Sequence, residues 1–206
     1  MKRISSEDIK EMDSRFRAHL VNSCTGYKSA NLIATKSENG IENVAVFSSI
    51  THLGSHPPLI GFVLRPTTVP RNTYENLKQS GKFTINHIQE NMIEDAHHTS
   101  AKYPKDVSEF DNTSLTPVYR DKFQAPFVAE STIQIACSYV NEYDIKENGC
   151  IFIIGAIESI YLLDDFINED GFVQLDKAAS VSINGLDGYA SVSLINRFKY
   201  ARPNDE

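Results

Sequence analysis

An uneven distribution of charge marks the part of the chain best suited to bind an anion. The sequence has 27 acidic residues among 206, yet positions 43–74 contain none. Arginine, threonine and asparagine supply candidate donors there, at Arg65, Thr67, Thr68, Arg71, Asn72 and Thr73. Guanidinium groups, hydroxyls and the N–H groups at a helix start are the donors that a phosphate prefers. The composition predicts a phosphate site, although a strand exit, two prolines and a capped helix would give the same local pattern.

Helices are predicted at the N-terminus, from Asn72 onward, and near residue 91. Asn72 and Glu75 form a capping-box pattern at the start of one helix, and Gly81 suits its end. A second capping-box pattern at 91–94 predicts another short helix. At the N-terminus, residues 1–25 are expected to form a helical segment that packs on the domain, because apolar residues recur there at spacings of three and four and Ser5 or Ser6 can cap it.

Strands account for most of the remaining pattern. Runs rich in β-branched and aromatic residues predict them at 31–36, 44–47, 59–64, 83–88, 132–145 and 150–162. The last two flank a turn-like break and predict a long antiparallel hairpin. Hairpins with few intervening helices favour an antiparallel barrel, so we expect a mainly β fold with minor α, in one domain over 1–206. The polar stretch 103–121 is expected to cross the surface, as loops that cover a site do.

Composition excludes several classes of partner. The net charge of −7, without a long run of like charges, argues against nucleic acid or an anionic membrane as the main partner. No apolar stretch has the length of a membrane helix and the N-terminus lacks a signal-peptide pattern, so we expect a cytoplasmic protein. Neither the glycine-rich fingerprint of a Rossmann domain nor that of a P-loop is present.

Metal and thiol chemistry have little support in the sequence. His52 and His56 have a ligand-like spacing, but the glycine and prolines around them argue against a helix, and we predict no metal site. The acidic cluster at 164–170 lacks calcium-loop spacing and is expected to be a solvated loop. Three widely separated cysteines indicate packed thiols rather than disulfides or a zinc knuckle.

Four segments in a fixed order resemble the flavin reductase family. They are Asn43-Val-Ala45-Val-Phe-Ser48-Ser49, the proline pair Pro57-Pro58 before a buried strand, Arg71-Asn72-Thr73 leading a helix, and Gly81-Lys-Phe83 with Asn86. The order of the motifs carries the resemblance, which extends from about 31 to 203. The family implies an FMN-binding split β-barrel, usually a homodimer, in which flavin is reduced by NADH or NADPH or is held as a redox group.

The resemblance also implies different roles for two groups of candidate residues. Asn43, Ala45, Ser48 and Ser49 would line the flavin ring and ribityl chain, largely through backbone groups. Arg65, Thr67, Thr68, Arg71, Asn72 and Thr73 would surround the phosphate. Because hydride passes directly between nicotinamide and flavin, no acid–base catalytic residue is assigned.

Several alternatives stay open at this level. FMN is the expected flavin and FAD the alternative, and the flavin is either a bound cofactor or a diffusible substrate. The function is read as NAD(P)H-dependent flavin reduction; the rivals are a flavin-dependent oxidase related to pyridoxamine phosphate oxidase and a non-catalytic flavin store or sensor. Cys150 stands where many family members have a histidine, and it is either a packed thiol or a flavin contact. One of His97 and His98 could face the flavin cleft.

Overall fold

The computed structural model describes residues 1–203. It contains four α-helices, which span Ser6–Glu11 (α1), Ser14–Ser23 (α2), Asn72–Ser80 (α3) and Ile93–His98 (α4) within that range. The N-terminal helical segment is therefore two helices. Ser5, one of the two expected caps, forms a capping box with Asp8 at the start of α1. Asp13 caps α2, because its side chain accepts from the N–H groups of Arg15 and Phe16.

The six predicted strands are confirmed, each to within two residues at either end. In full, the strands are Lys28–Ser29 (β1), Asn31–Lys36 (β2), Glu42–Phe47 (β3), Thr51–Ser55 (β4), Pro58–Leu64 (β5), Lys82–His87 (β6), Pro117–Val118 (β7), Phe127–Val128 (β8), Gln134–Ile145 (β9), Cys150–Tyr161 (β10), Val181–Asn184 (β11) and Gly188–Ser191 (β12). β4 was not predicted, because its sequence, THLGS, has a glycine and only one large apolar residue.

Seven strands form the main sheet, in the order β3-β2-β6-β9-β10-β5-β4. All neighbours are antiparallel, and Cys150 pairs with Ile145 at the turn of the predicted β9–β10 hairpin. β1, β11 and β12 make a second, small sheet, and β7 pairs with β8. The expected mainly β, antiparallel architecture is confirmed, and the main sheet curls into a split barrel.

The side chain of Ser49 extends the pairing of β5 beyond the first residue of β4. β4 pairs with β5 from Thr51 opposite Gly61, a register that would place Ser49 opposite Val63. The Ser49 hydroxyl donates to the Val63 carbonyl (3.1 Å) and accepts from its N–H (3.0 Å). A side chain thus continues the pairing of β5 just before β4 begins.

Two apolar clusters lie on opposite faces of β2. Ile33 packs in a cluster with Phe62 and Phe83 inside the barrel, whereas Leu32 packs in a cluster with Phe110 on the other face. This division follows from the strand period of two, which points successive side chains to opposite faces. Since both faces are covered, β2 is almost completely buried and supplies a rigid base for the residues beside it.

α3 lies over β2 and β3. Its Leu77 is buried in the interior cluster, and the helix ends as predicted at Gly81, which adopts the left-handed conformation (φ +66°) and donates its N–H to the Leu77 carbonyl (2.9 Å). The start of α3, at Asn72, directly follows the segment that leaves β5.

Candidate functional site

The first turn of α3 is open. The N-cap is Arg71 rather than Asn72, and no side chain of residues 1–203 bonds to this end as a cap. The predicted capping box is wrong because Asn72 already lies in the helix and Glu75 pairs with Lys105 instead. The second predicted capping box also fails, since α4 starts at Ile93 without a side-chain cap among the described residues. The positive end of α3 is left available to an anion.

Segment 65–71, which joins β5 to α3, is the exposed half of the predicted site. Arg65, Thr67 and Thr68 are exposed there, whereas Arg71 is half-buried. The Nε of Arg71 donates to the Pro66 carbonyl (3.4 Å), which closes the segment on itself and leaves the rest of the guanidinium group for other partners. The predicted arginine and threonine donors thus lie in the segment that leads directly into the open turn of α3.

Asn43 and Thr73 form the buried half of the predicted site. The Asn43 amide donates to Thr73 Oγ1 (3.0 Å) and lies 3.5 Å from Thr35 Oγ1, to which Asn76 also donates (3.1 Å). All four residues are buried. We call Thr35, Asn43, Thr73 and Asn76 the polar network; it fastens α3 to β2 and β3, so these side chains act on the site by positioning the helix.

The remaining predicted residues lie in β3 or directly after it. Ala45 pairs with Ile33 and shares its face of the sheet. Ser48 and Ser49 lie in the link to β4, both half-buried, and the Ser49 hydroxyl is used by Val63. Any contact of Ser49 with a ligand would therefore involve its backbone, and the flavin contact that the resemblance implies for Ser49 stays a prediction.

A cavity of about 260 Å³ lies beside α3. Its lining combines asparagine side chains with one cationic and one acidic residue of the surface stretch 103–121: Asn39, Asn43, Asn72, Asn76, Lys105 and Asp106. Ser37, Ile41 and Glu42 complete the lining. Two residues of the stretch 103–121, Lys105 and Asp106, border this cavity. Of the ten predicted binding residues, only Asn43 and Asn72 reach it.

Two carboxylates, Glu42 of β3 and Glu109 of the stretch 103–121, attach this stretch to β3. Glu109 is buried and accepts from the N–H of Val44 on the edge strand β3 (3.1 Å). Burial raises the pKa of Glu109, and its hydrogen bonds to backbone N–H groups offset part of that shift. Glu42 accepts from the Tyr119 hydroxyl (2.6 Å). Neither contact could be predicted from sequence patterns, because each joins residues more than 60 positions apart.

The candidate histidines, His97 and His98, each lie beside a tyrosine hydroxyl, and Cys150 lies elsewhere in the fold. His97 lies 3.3 Å from the hydroxyl of Tyr189, and His98 lies 2.6 Å from that of Tyr103. Burial raises the pKa of Tyr189 to about 12. Cys150 precedes Ile151, which pairs with Leu64, so the thiol-bearing residue stands beside the start of segment 65–71. A flavin contact by Cys150 remains a prediction.

The described residues, 1–203, contain no cluster of three or more metal-ligating side chains and no helix long and apolar enough to cross a membrane. The acidic cluster at 164–170 forms a short 3₁₀ turn at Asp164–Phe166, and Asp170 pairs with Arg197 at 2.6 Å. These residues lie outside the predicted site.

Comparison with known proteins agrees with this fold. Residues 26–175 match the flavin reductase like domain. A solved structure from Shewanella frigidimarina, assigned as a flavin reductase with a split barrel domain, is 43% identical, with 98% of this chain and 100% of that chain covered and a TM-score of 0.94. The chain belongs to the flavin reductase-like family, a family of flavin-related oxidoreductases.

More distant relatives also match this chain. Component B of nitrilotriacetate monooxygenase from Bacillus cereus is 20% identical, with a TM-score of 0.81 over 97% of this chain and 98% of that chain. An uncharacterised protein of Halalkalibacterium halodurans is 29% identical over 177 residues, 83% of each chain.

Proposed function

We propose that this chain binds a flavin nucleotide and reduces it with NADH or NADPH. The observation that carries the proposal is the open donor surface formed by segment 65–71 and the first turn of α3. It brings together two arginines, exposed threonine hydroxyls and an uncapped helix start, within a stretch of sequence that lacks carboxylates. This donor set fits the phosphate of a flavin nucleotide. The resemblance of the ordered motifs and the family membership support the same ligand.

Each part of the site has its own task in this proposal. Arg71, Arg65 and the hydroxyls of Thr67 and Thr68 hold the phosphate, and the polar network fixes the angle of α3. The backbone of the β3–β4 link, held by Ser49, lies against the flavin ring. The bound flavin supplies the redox chemistry, since its ring accepts hydride from a nicotinamide. The protein contributes binding and orientation, so no side chain needs to act as an acid or base.

The phosphate contact is tested by replacing Arg71 with glutamate. Arg71→Glu removes charge-assisted hydrogen bonds and adds a repulsion, and we expect flavin affinity to fall at least roughly 10- to 100-fold. Quenching of flavin fluorescence measures the dissociation constant. Arg15→Glu, the same change of charge on the exposed surface of α2, serves as control and should bind flavin like the wild type. Unchanged affinity in Arg71→Glu would contradict the phosphate site.

Turnover is tested separately from binding. Anaerobic addition of NADH or NADPH to the protein with flavin should bleach the flavin absorbance, at a rate well above that of free flavin. Bound flavin that neither nucleotide reduces would contradict the reductase proposal and favour the store or sensor.

A homodimer belongs to the same proposal. The extended C-terminal segment leaves Ile195, Phe198 and Tyr200 almost fully exposed, at 97%, 87% and 88% of their surfaces. Large apolar side chains of this kind are typical of a contact with another protein surface. Sedimentation velocity at working concentration should give the mass of two chains, and a monomer would contradict this part.

A further inference from the structure

We infer that a group of four polar side chains, located where β2 begins and β6 ends, binds a small monovalent anion such as chloride. The group consists of Asn31, His87, Gln89 and Ser180, and we call it the quartet. It shares no residue with the candidate flavin site, so this inference does not depend on the proposed function.

Backbone pairing places the members of the quartet side by side. Asn31 lies opposite His87 in the β2–β6 pair. Gln89 lies opposite Ser180 in an isolated bridge. Ile88 joins the two pairs, because it donates its N–H to the carbonyl before Asn31 (3.2 Å) and accepts from the N–H after Ser180 (2.9 Å). Opposite residues share a face, as do residues two positions apart in extended backbone, so all four side chains lie on one face.

Two amide groups of the quartet are buried without a partner. Asn31 and Gln89 are only 1% and 4% exposed. Neither Asn31 Nδ2 nor Gln89 Nε2 has a hydrogen-bond partner among residues 1–203. Because an unpaired polar group in the core is costly, these donors require either a ligand or an ordered water.

The quartet is rich in donors and poor in acceptors. The amide oxygen of Gln89 already accepts from the Thr132 N–H (3.3 Å). The Nδ1 atom of His87 lies 3.3 Å from the Ser180 hydroxyl, so these two groups are paired with each other. A buried water has to donate hydrogen bonds as well as accept them, whereas an anion only accepts. The surplus of donors therefore favours an anion, to which hydrogen bonds are also stronger.

Charge limits the anion to a singly charged one. Burial is the one cause that lowers the pKa of His87, and no charged side chain contributes to it. The groups around this histidine are Asn31 on β2, Ser180 just before β11 and Ile133 just before β9, and none of them titrates. A dianion buried without a cationic partner is too costly. A halide fits this neutral set of donors.

Bromide is the probe, and sodium gluconate at equal ionic strength is the reference. An anion that binds only the folded chain shifts the unfolding equilibrium by the factor 1 + [anion]/Kd, which is roughly 10-fold at ten times Kd. Urea denaturation of the wild type should show a shift toward the folded state that grows with the bromide concentration.

The variant Asn31→Asp tests the position of the anion. A carboxylate has the shape of the amide but lacks the N–H donor and repels an anion, so the response to bromide should fall below about 2-fold. Asn148→Asp is the matched control, because Asn148 is exposed in the β9–β10 turn. Its Oδ1 accepts from the Cys150 N–H (3.0 Å), a bond that a carboxylate keeps. The control should respond to bromide like the wild type.

The pKa of His87 supplies a second readout, which needs no variant. A bound anion favours the imidazolium form, so bromide should raise the pKa of His87 above the value of about 4 that burial gives it. NMR titration of the ring in bromide and in gluconate measures the difference. The same pKa in both salts would overturn the inference, even if Asn31→Asp failed to fold.

Two results of the denaturation series would also overturn the inference. Equal stability of the wild type in bromide and gluconate would assign the quartet to water. An equal response of Asn31→Asp and the wild type would show that the anion binds elsewhere on the chain.

Discussion

The polar network and segment 65–71 contain similar residue types, yet the fold uses them in opposite ways. In the network, Thr73 and Thr35 are buried and accept hydrogen bonds from asparagine side chains. In the segment, Thr67 and Thr68 are exposed. The two regions meet at the start of α3, where the chain passes from one to the other within about six residues.

This difference separates positioning from binding. A buried hydroxyl must be paired within the protein, because an unpaired polar group in the core is costly. Such a group is already engaged before any ligand arrives. An exposed hydroxyl or guanidinium group bonds to water and can exchange that water for a phosphate. We therefore expect changes in the network to alter stability and changes in the segment to alter affinity.

The largest expected effect is that of Thr35→Val. Thr35 is completely buried, and its hydroxyl oxygen accepts from two asparagine side chains. The substitution leaves both donors without that partner, at roughly 1–3 kcal/mol for each. Urea denaturation should therefore show a free energy of unfolding lower by roughly 2–6 kcal/mol.

Thr68→Val provides the comparison for this variant. Thr68 is exposed, and surface substitutions usually change stability by no more than about 0.5 kcal/mol. Equal stability of the two variants would show that the polar network does not hold α3 in place.

His87 extends the comparison to pH. It lies at the end of β6, with Nδ1 3.3 Å from the Ser180 hydroxyl, and burial lowers its pKa from 6.5 to about 4. Unfolded chains take up a proton near pH 6.5, whereas the folded protein resists protonation until about pH 4. Stability should thus decline by up to about 3 kcal/mol as the pH falls through this window.

The variant His87→Asn isolates this contribution from that of the carboxylates. It keeps a polar atom near the position of Nδ1 and removes the titration. Urea denaturation between pH 7 and 4.5 should give a shallower decline for the variant than for the wild type. Parallel curves would contradict a half-buried His87 that stays neutral in the folded protein.

The smallest effect is expected from Ser49→Ala. The change removes both hydrogen bonds to Val63, which is only half-buried, so water can replace part of what is lost. We expect a loss of about 1 kcal/mol in the free energy of unfolding. Ser48→Ala is the matched control, and no bond from the Ser48 side chain is found within residues 1–203. An equal or smaller loss for Ser49→Ala than for Ser48→Ala would contradict the pairing of Ser49 with Val63.

Prediction from sequence succeeded for the strands and was incomplete for the site. The long hairpin was predictable because β9 and β10 are neighbours in the chain and carry strong β propensity. Conversely, the capping box predicted at Asn72 does not form, because Glu75 pairs instead with Lys105, which lies 30 residues further along the chain. The roles of Asn43 and Thr73 depended on a hydrogen bond between residues 30 positions apart. Local spacing has no information on such contacts.

The sequence by itself determined the β-rich class, the limits of the main strands and the carboxylate-free stretch that we propose for an anion. These properties follow from side-chain periodicity and charge, which act over a few neighbouring residues. Only the tertiary structure decided which donors are buried and which are open, and that stretch 103–121 borders a cavity beside α3. Burial and pairing depend on which distant segments meet, and that is settled when the sheet closes into a barrel.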